Sequence, residues 1–555
     1  MLAKKNRSER GQATAKGKAE HKMVEVPSPQ AVRETVESIV IAFVLAFLFR
    51  AFEAEAFVIP TGSMAPTLQG QHKDVFCPKC QFNYRVGASQ EAAPPSGPRR
   101  FAAASRMVQQ VTCPTCGFKM TTFTNREGPV EPTYNGDRIL VSKFAYEFSD
   151  PERWDVIVFK YPGNAKMNYI KRLVGLPSEI VRIEHGDIFT QPLAAIEGEK
   201  SAFRIARKPP FRLRAMLQDV HDNHHYADEL LAAGWKLNWL GDDPEETPGT
   251  WKSELTRKRD GQVVQQLSVD ATDEEQLRWC HYRNFRPSHN QWQKVMRGEL
   301  FPDAIRASVV LDSYAYNTAE PTRYNGRPRE RFNWVGDLAV ECDVTIESET
   351  GVLVLKLLEG GRVFQCELDI ASGKATLTID GGKQAFDEDV LTPVANTNVK
   401  GADNYTLMFS NVDDQLLLWV DGSVVEFDAA TTYPPLGNYA DTDSDIQPVG
   451  LGARGSKITV DHLKIFRDVY YIAVKSPLSL YDDGPLDFEL NTDQYFALGD
   501  NSPQSKDSRL WPLDGAEPYV TRDLLIGKAL FIYWPHSRDD IFPFCPNIPR
   551  MKFVR

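Results

Sequence analysis

At 555 residues the chain is too long for one ordinary hydrophobic core, so it must divide into several domains. With 42% hydrophobic and 25% charged residues, its composition is that of a globular protein. A net charge of −11 excludes a general nucleic-acid-binding surface, which would be basic.

The first 34 residues are a local exception. Lys4, Lys5, Arg7, Arg10, Lys16, Lys18, Lys22 and Arg33, with few apolar neighbours, predict a disordered basic tail. An uninterrupted apolar run follows, Ile39 to Phe49, bounded by Glu37 and Arg50. A bilayer needs about twenty residues, and snorkelling of the two flanking charges makes 35–52 a workable single transmembrane helix. The competing reading is a cleavable signal peptide, with a basic start, a short apolar centre and the A-x-A pattern Ala54-Glu55-Ala56. A retained anchor is favoured because Ser63 follows so closely that the tether would hold it at the membrane. The positive-inside rule then leaves the tail in the cytosol and everything after Phe52 outside.

Ser63 is a possible nucleophile, and strand-like runs at 138–141, 154–161 and 170–174 place Lys171 among apolar neighbours. A free lysine titrates near about 10.4 and is useless as a base at neutral pH. Burial against Ile170, Leu173, Val174, Val156 and Val158 would lower that value by penalising the charged form. A serine and a desolvated lysine together read as the nucleophile and base of a membrane-tethered protease.

Four cysteines at 77, 80, 113 and 116 form a C-x-x-C…C-x-x-C set with Pro and Gly at knuckle positions, within 72–124. Four thiolates at that spacing suit a structural zinc, as in a zinc ribbon. Two disulfides are the competing reading, disfavoured by the strain of a two-residue spacing. His72 reads as a surface residue rather than a ligand, and Cys342 and Cys366 as buried core thiols.

Residues 186–306 hold scattered charge, tryptophans and prolines and read as irregular, with one helix around 226–234. From 307 to 472 alternation is clear, as in Asp337–Val344, Val352–Leu357 and Tyr405–Phe409, and Leu416–Val420 runs into an Asp421-Gly422 hairpin turn. The pattern predicts a jelly-roll-like β-sandwich. It resembles concanavalin-like and laminin-G-like modules, which implies a glycan or protein ligand; a scaffold is the plainer reading. Residues 473–555 return to mixed strands and turns, so the sandwich reads as an insertion into one domain.

Four phrases carry a closer resemblance. Gly62-Ser63-Met64-Ala65-Pro66-Thr67-Leu68, Gly136-Asp137-Arg138-Ile139-Leu140-Val141, Tyr169-Ile170-Lys171-Arg172-Leu173-Val174-Gly175-Leu176-Pro177 and Gly499-Asp500-Asn501-Ser502-Pro503-Gln504-Ser505-Lys506-Asp507-Ser508-Arg509 resemble, in order, the boxes of the type I signal peptidase family. The resemblance covers about 53–185 and 470–555. It implies a mainly β catalytic domain on one N-terminal transmembrane helix. It also implies cleavage of exported preproteins after an A-x-A site, with no cofactor for catalysis. By the same resemblance Ser63 is the nucleophile, Lys171 the general base, and Thr61 with the Ser63 N–H the oxyanion hole. Ser505 would orient Lys171, and Asp507 and Arg509 would form a supporting ion pair. Phe57, Ile59, Leu68, Val158, Tyr169 and Ile170 would line shallow apolar subsites. Membrane lipid and signal-peptide-bearing preproteins are the implied partners.

The chain departs from the family at Pro177-Ser178-Glu179, at Ser502-Pro503 and in its inserted material. An inactive, membrane-anchored binding protein on a peptidase-derived scaffold is the alternative, and the intact set of five polar site residues argues against it.

Overall fold

A computed structural model describes residues 29–48, 54–92, 107–124, 128–129, 131–194, 203–242, 249–273, 275–300, 305–321, 332–435, 437, 439–474, 484–537 and 545–555. They fall into two units, Met1–Glu53 and Ala54–Arg555.

In the first unit a helix spans Pro29–Leu48. Proline suits a first helical turn, where its missing N–H costs nothing, and Arg33 Nε bonds Glu37 Oε1 one turn on at 2.7 Å. Residues 29–34, expected to be disordered, are therefore helical. The rest of the predicted tail and the end of the predicted span, 49–52, lie outside the described residues. No helix among the described residues is long and apolar enough to cross a membrane. Val36, Ile39, Val40, Ile41, Phe43 and Val44 are nonetheless all exposed on this helix.

The second unit is built from strands. Its first sheet has seven, in the spatial order Ala54–Val58, Arg138–Ser142, Leu525–Trp534, Val156–Tyr161, Asn164–Gly175, Gln494–Leu498, Val520–Thr521. Strands from the two ends of the unit are thus interleaved, and Leu525–Trp534 is hydrogen-bonded on both sides by strands more than three hundred residues earlier. A four-stranded sheet follows the same rule: Leu486–Glu489 pairs with Glu179–Glu184, which pairs with Asp187–Pro192 and on to Arg204–Ile205. The first part of this domain therefore reaches past the expected limit at 185. At the family departure after Pro177, Ser178 takes the left-handed φ of +62°, and Glu179 secures the turn by accepting from Leu176 N at 2.7 Å and pairing with Arg153.

Between these segments lie two larger sheets packed face to face. One holds Gln218–Asp222, Lys252–Arg257, Val263–Asp270, Leu338–Ile346, Asn404–Val412, Gln415–Val420, Ser423–Val424 and Lys457–Arg467. The other holds Trp239–Gly241, Arg278–Tyr282, Val352–Glu359, Arg362–Asp369, Lys374–Ile379, Val394–Asn396 and Val449–Arg454. Alternation does what two-sided burial requires: Val340, Cys342, Val344 and Ile346 meet Leu353, Leu355, Leu357, Phe364, Cys366 and Leu368 in one core. Cys342 and Cys366 are fully buried there.

The segment 186–306 is not irregular. It supplies strands to both sheets, so the sandwich starts near Gln218 rather than at 307. Most of its strands are short, and Gln218–Asp222, Val263–Asp270 and Arg278–Tyr282 find partners only at 450–467, which hides their place in the sheets. Of its three short helices among the described residues, Pro210–Met216, Asp228–Ala232 and His289–Val295, the last two have another task. Leu230, Trp235, Phe285, Trp292 and Val295 pack with the cysteine-bearing hairpins His72–Phe76/Asn83–Gly87 and Val108–Thr112/Lys119–Thr121 in one cluster.

Candidate active site

Ser63 sits in a short 3₁₀ turn, Gly62–Met64, directly after the edge strand Ala54–Val58. Lys171 lies on the central strand Asn164–Gly175, opposite Ile157 in the register. Strand and turn bring them together: Lys171 Nζ is 2.6 Å from Ser63 Oγ, with both residues buried. Burial pulls the lysine from its ordinary 10.5 down to about 8; the carboxylates of Asp507 and Asp500 pull the other way and only moderate the drop.

The two phrases are joined by an ion pair that sequence reasoning did not single out. Arg172, the next residue on the strand, points to the opposite face. Its Nε and Nη2 donate to Asp500 Oδ1 and Oδ2 at 2.6 and 2.7 Å, and both side chains are fully buried. Asp500 also accepts from Thr67 Oγ1 at 2.5 Å, and Arg172 Nη1 donates to the Trp154 carbonyl at 2.8 Å. One bidentate pair thus ties the nucleophile, lysine and last phrases together. The next residue, Asn501, holds the nucleophile turn directly. Its N–H donates to the Ser63 carbonyl and its side chain to the Gly62 carbonyl, each at 3.0 Å.

Asp507 and Arg509 form a second buried bidentate pair, at 2.8 and 2.7 Å. The departure at Ser502 is absorbed here, since Ser502 Oγ accepts from Arg509 Nη1 at 2.7 Å. Asp507 in turn accepts from Gly499 N at 3.1 Å. Gly499 is obligatory, because a Cβ there would lie 2.2 Å from Ser505 Oγ and 2.4 Å from the Ser63 carbonyl oxygen. Ser505 differs from expectation: its buried hydroxyl has no hydrogen-bond partner among the described residues, so the contact to Lys171 is not formed. Thr61, exposed just before the turn, makes no capping bond with its side chain.

The six expected wall residues separate. Ile59, Leu68 and Val158 are at most 2% exposed and floor the site from inside its core, with Phe57 and Ile170 packed over them half-buried. Tyr169 shares the Lys171 face, its ring 5.7 Å from Lys171 Nζ, stacked on Tyr161 at 4.7 Å and against Trp511. Alternation along the strand puts it on the side opposite Ile170.

The inserted material reaches the dyad. Tyr316 and Asn317 lie in a 3₁₀ turn of the insertion, Ala315–Asn317. Asn317 and Asn501 exchange amide bonds, Nδ2 to Oδ1 at 2.7 Å one way and 2.9 Å the other. The Tyr316 ring fills the space beside Gly62, where a Cβ would come within 2.1 Å of it. Nothing in the sequence pattern points to these two residues, because their role is set by a tertiary contact.

The four cysteines converge. All four Sγ lie within 4.8 Å of one another, and Cys77–Cys116 and Cys80–Cys113 are each 3.6 Å apart, unbonded. A tetrahedral zinc with Zn–S of about 2.3 Å sets its sulfurs about 3.8 Å apart, so the donor set and spacing fit. Each C-x-x-C closes as a knuckle, with Gln81 N donating to the Cys77 carbonyl at 2.8 Å and Gly117 N to that of Cys113 at 3.0 Å. His72 is not a surface residue. It is 1% exposed, 3.2 Å from His536, and burial lowers it to about 4, which keeps it neutral.

Two segments of the chain match a peptidase family. Residues 99–220 and 463–534 match the family described as signal peptidase, peptidase S26. These hold Lys171, Arg172, Asp500, Ser505, Asp507 and Arg509; Ser63 lies outside them. Signal peptidase I of Pseudomonas fluorescens and of Pseudomonas aeruginosa are each 44% identical over 78 residues, covering 12% of this chain and 28% of theirs. A probable signal peptidase I-1 of Synechocystis is 25% identical over 178 residues, 30% of this chain and 58% of its own. The chain thus spans less than a third of the first two relatives. Among solved structures, a carbohydrate-binding module from Bacillus subtilis aligns with 10% identity and a TM-score of 0.20, covering 40% of this chain and 96% of the module. A Caenorhabditis elegans galectin aligns with 11% identity and a TM-score of 0.18, over 24% and 83%.

Full-length protein purified without chelator should carry one zinc per chain by elemental analysis. Cys113→Ser should lose it and expose the remaining thiols to a thiol reagent; wild type without metal would contradict the assignment.

Proposed function

We propose that the chain is a membrane-anchored serine endopeptidase that removes signal peptides from exported preproteins after an A-x-A site. The observation that carries this reading is the 2.6 Å contact between Ser63 Oγ and a buried Lys171 Nζ whose proton affinity is lowered. As the neutral amine, Lys171 takes the Ser63 proton while Oγ attacks the scissile carbonyl, and then delivers it to the leaving amine. The Ser63 N–H and the uncommitted Thr61 hydroxyl hold the oxyanion. The Asp507–Arg509 pair stands behind the last phrase and fixes Gly499 against the dyad. Phe57 and Ile170, over the floor of Ile59, Leu68 and Val158, leave room only for small side chains before the scissile bond. The exposed apolar side chains of the Pro29–Leu48 helix form the single anchor. That topology places the catalytic unit outside the membrane, against lipid and preprotein.

Ser63→Ala and Lys171→Ala should each abolish cleavage of an A-x-A preprotein in detergent, leaving circular dichroism unchanged. Persistent cleavage by either variant would remove the dyad. Cleavage absent from wild type, with Ser63 inert to acylating inhibitors, would favour the inactive binding scaffold.

In this reading Asn317 and Tyr316 are positioning residues supplied by the insertion. Asn317→Ala should lower kcat by about tenfold, in line with the loss of roughly 1–1.5 kcal/mol from one buried hydrogen-bonded pair. KM should stay nearly constant and Asn317→Gln should recover little. An unchanged kcat would show that the insertion merely rests on the site.

A further inference from the structure

The passage between the catalytic sheets and the sandwich carries a charge imbalance that the peptidase does not explain. Asp187 opens the strand Asp187–Pro192 of the four-stranded sheet. Asp337 immediately precedes the sandwich strand Leu338–Ile346, and Asp413 lies at the tip of the hairpin after Asn404–Val412. Asp468 immediately follows the last sandwich strand, Lys457–Arg467. These four residues, from segments far apart in sequence, meet where the chain enters and leaves the sandwich, beside the bridge between Gly186 and Tyr471.

Carboxylate oxygens of Asp187, Asp337 and Asp413 lie within 4.8 Å of one another. Among the described residues one ammonium answers them. Lys208 Nζ is 2.6 Å from Asp413 Oδ1 and 2.7 Å from Asp468 Oδ2, and Lys208 N donates to Asp413 Oδ2 at 2.9 Å. Arg207, next to it, is engaged by the main-chain carbonyls of Asp413, Asp414 and Tyr433. Asp337 Oδ2 accepts a main-chain bond from Asp413 N at 3.1 Å. Asp468 is 1% exposed, and its Oδ1 has no hydrogen-bond donor among the described residues. An uncompensated carboxylate out of water costs several kcal/mol, and here the excess is more than one. The carboxylates of Asp187, Asp337, Asp468 and Glu359 line a cavity of about 40 Å³, larger than the roughly 10–15 Å³ a single water needs.

We propose that Asp187, Asp337 and Asp413, backed by the buried Asp468, hold a divalent, oxygen-preferring cation of the calcium class, which staples the sandwich to the catalytic domain. The donor set is all oxygen, with no imidazole or thiolate, which selects a hard cation over zinc or copper. A cage made largely of protein carboxylates favours calcium over magnesium, which keeps most of its water. Because the ligands come from both sides of the passage, the cation would stiffen the junction from which Tyr316 and Asn317 are presented to the nucleophile turn. The site stands independently of the peptidase reading.

The test is terbium luminescence on the full chain with its cysteine site loaded, excited through Trp334 and Tyr439, which line the same cavity. Terbium alone should give saturable emission in wild type, and calcium should displace it and raise the unfolding temperature. Asp337→Asn and Asp187→Asn should each weaken calcium by about tenfold or more and abolish its effect on unfolding. Terbium emission that calcium does not displace, or variants that bind calcium as wild type does, would overturn the site. Should Asp337→Asn fail to fold, the half-buried Asp187→Asn gives the same readout.

Discussion

Lys171 stands 2.6 Å from Ser63 with its ammonium removed from water, and the rest of the catalytic domain is arranged around keeping it there. Moving a lysine from 10.5 to about 8 corresponds to roughly 3 kcal/mol in favour of the neutral amine. The fold must bear that cost, because a flexible site would let water back. Rigidity comes from the face of the strand opposite Lys171. Arg172, Asp500 and Thr67 form a fully buried, bidentate network that locks three remote segments into one register. A single strand therefore presents a desolvated lysine on one side and its anchor on the other.

The inserted material is part of this arrangement. The cysteine-bearing hairpins begin at His72, nine residues after Ser63, and they pack on helices of the insertion through Leu230, Trp235 and Trp292. The insertion in turn sends Tyr316 against Gly62 and Asn317 to Asn501. Hairpins, sandwich and nucleophile turn form a closed circuit of contacts, so a disturbance of the sandwich is transmitted to Ser63 by packing. The acidic junction at Asp187, Asp337, Asp413 and Asp468 lies on the same circuit.

Phrases with chemistry were legible from residues alone. Ser63 and Lys171, Asp507 and Arg509, and the four cysteines lie together in the structure, and each sits in a phrase that already singled it out. The strongly alternating strands from 338 to 466 were legible for a different reason, since two-sided burial imposes a period of two that needs no context. What failed was everything decided by long-range pairing. Three of the strands in 218–282 join the sandwich only through partners at 450–467, so 186–306 looked irregular. Tyr169 and Ile170 were grouped on one wall, yet Tyr169 shares the Lys171 side of the strand while Ile170 faces the other way. Ser505 and His72 were misjudged because a hydroxyl's partner and an imidazole's burial depend on packing that the chain order does not reveal. Asn317 carries no signature beyond its amide, and its contact with Asn501 spans 184 residues.

The central claim is that burial turns Lys171 into a base. Its most direct measure is the titration of Lys171 itself, followed by carbon-13 NMR of dimethylated lysines in the Ser63→Ala protein, with Lys171→Ala to assign the resonance. A folded pKa lowered by burial means that the amine is neutral above that value and protonated below it. The account predicts a midpoint near about 8, displaced upward on unfolding. A midpoint at the ordinary lysine value of about 10.4 would contradict it.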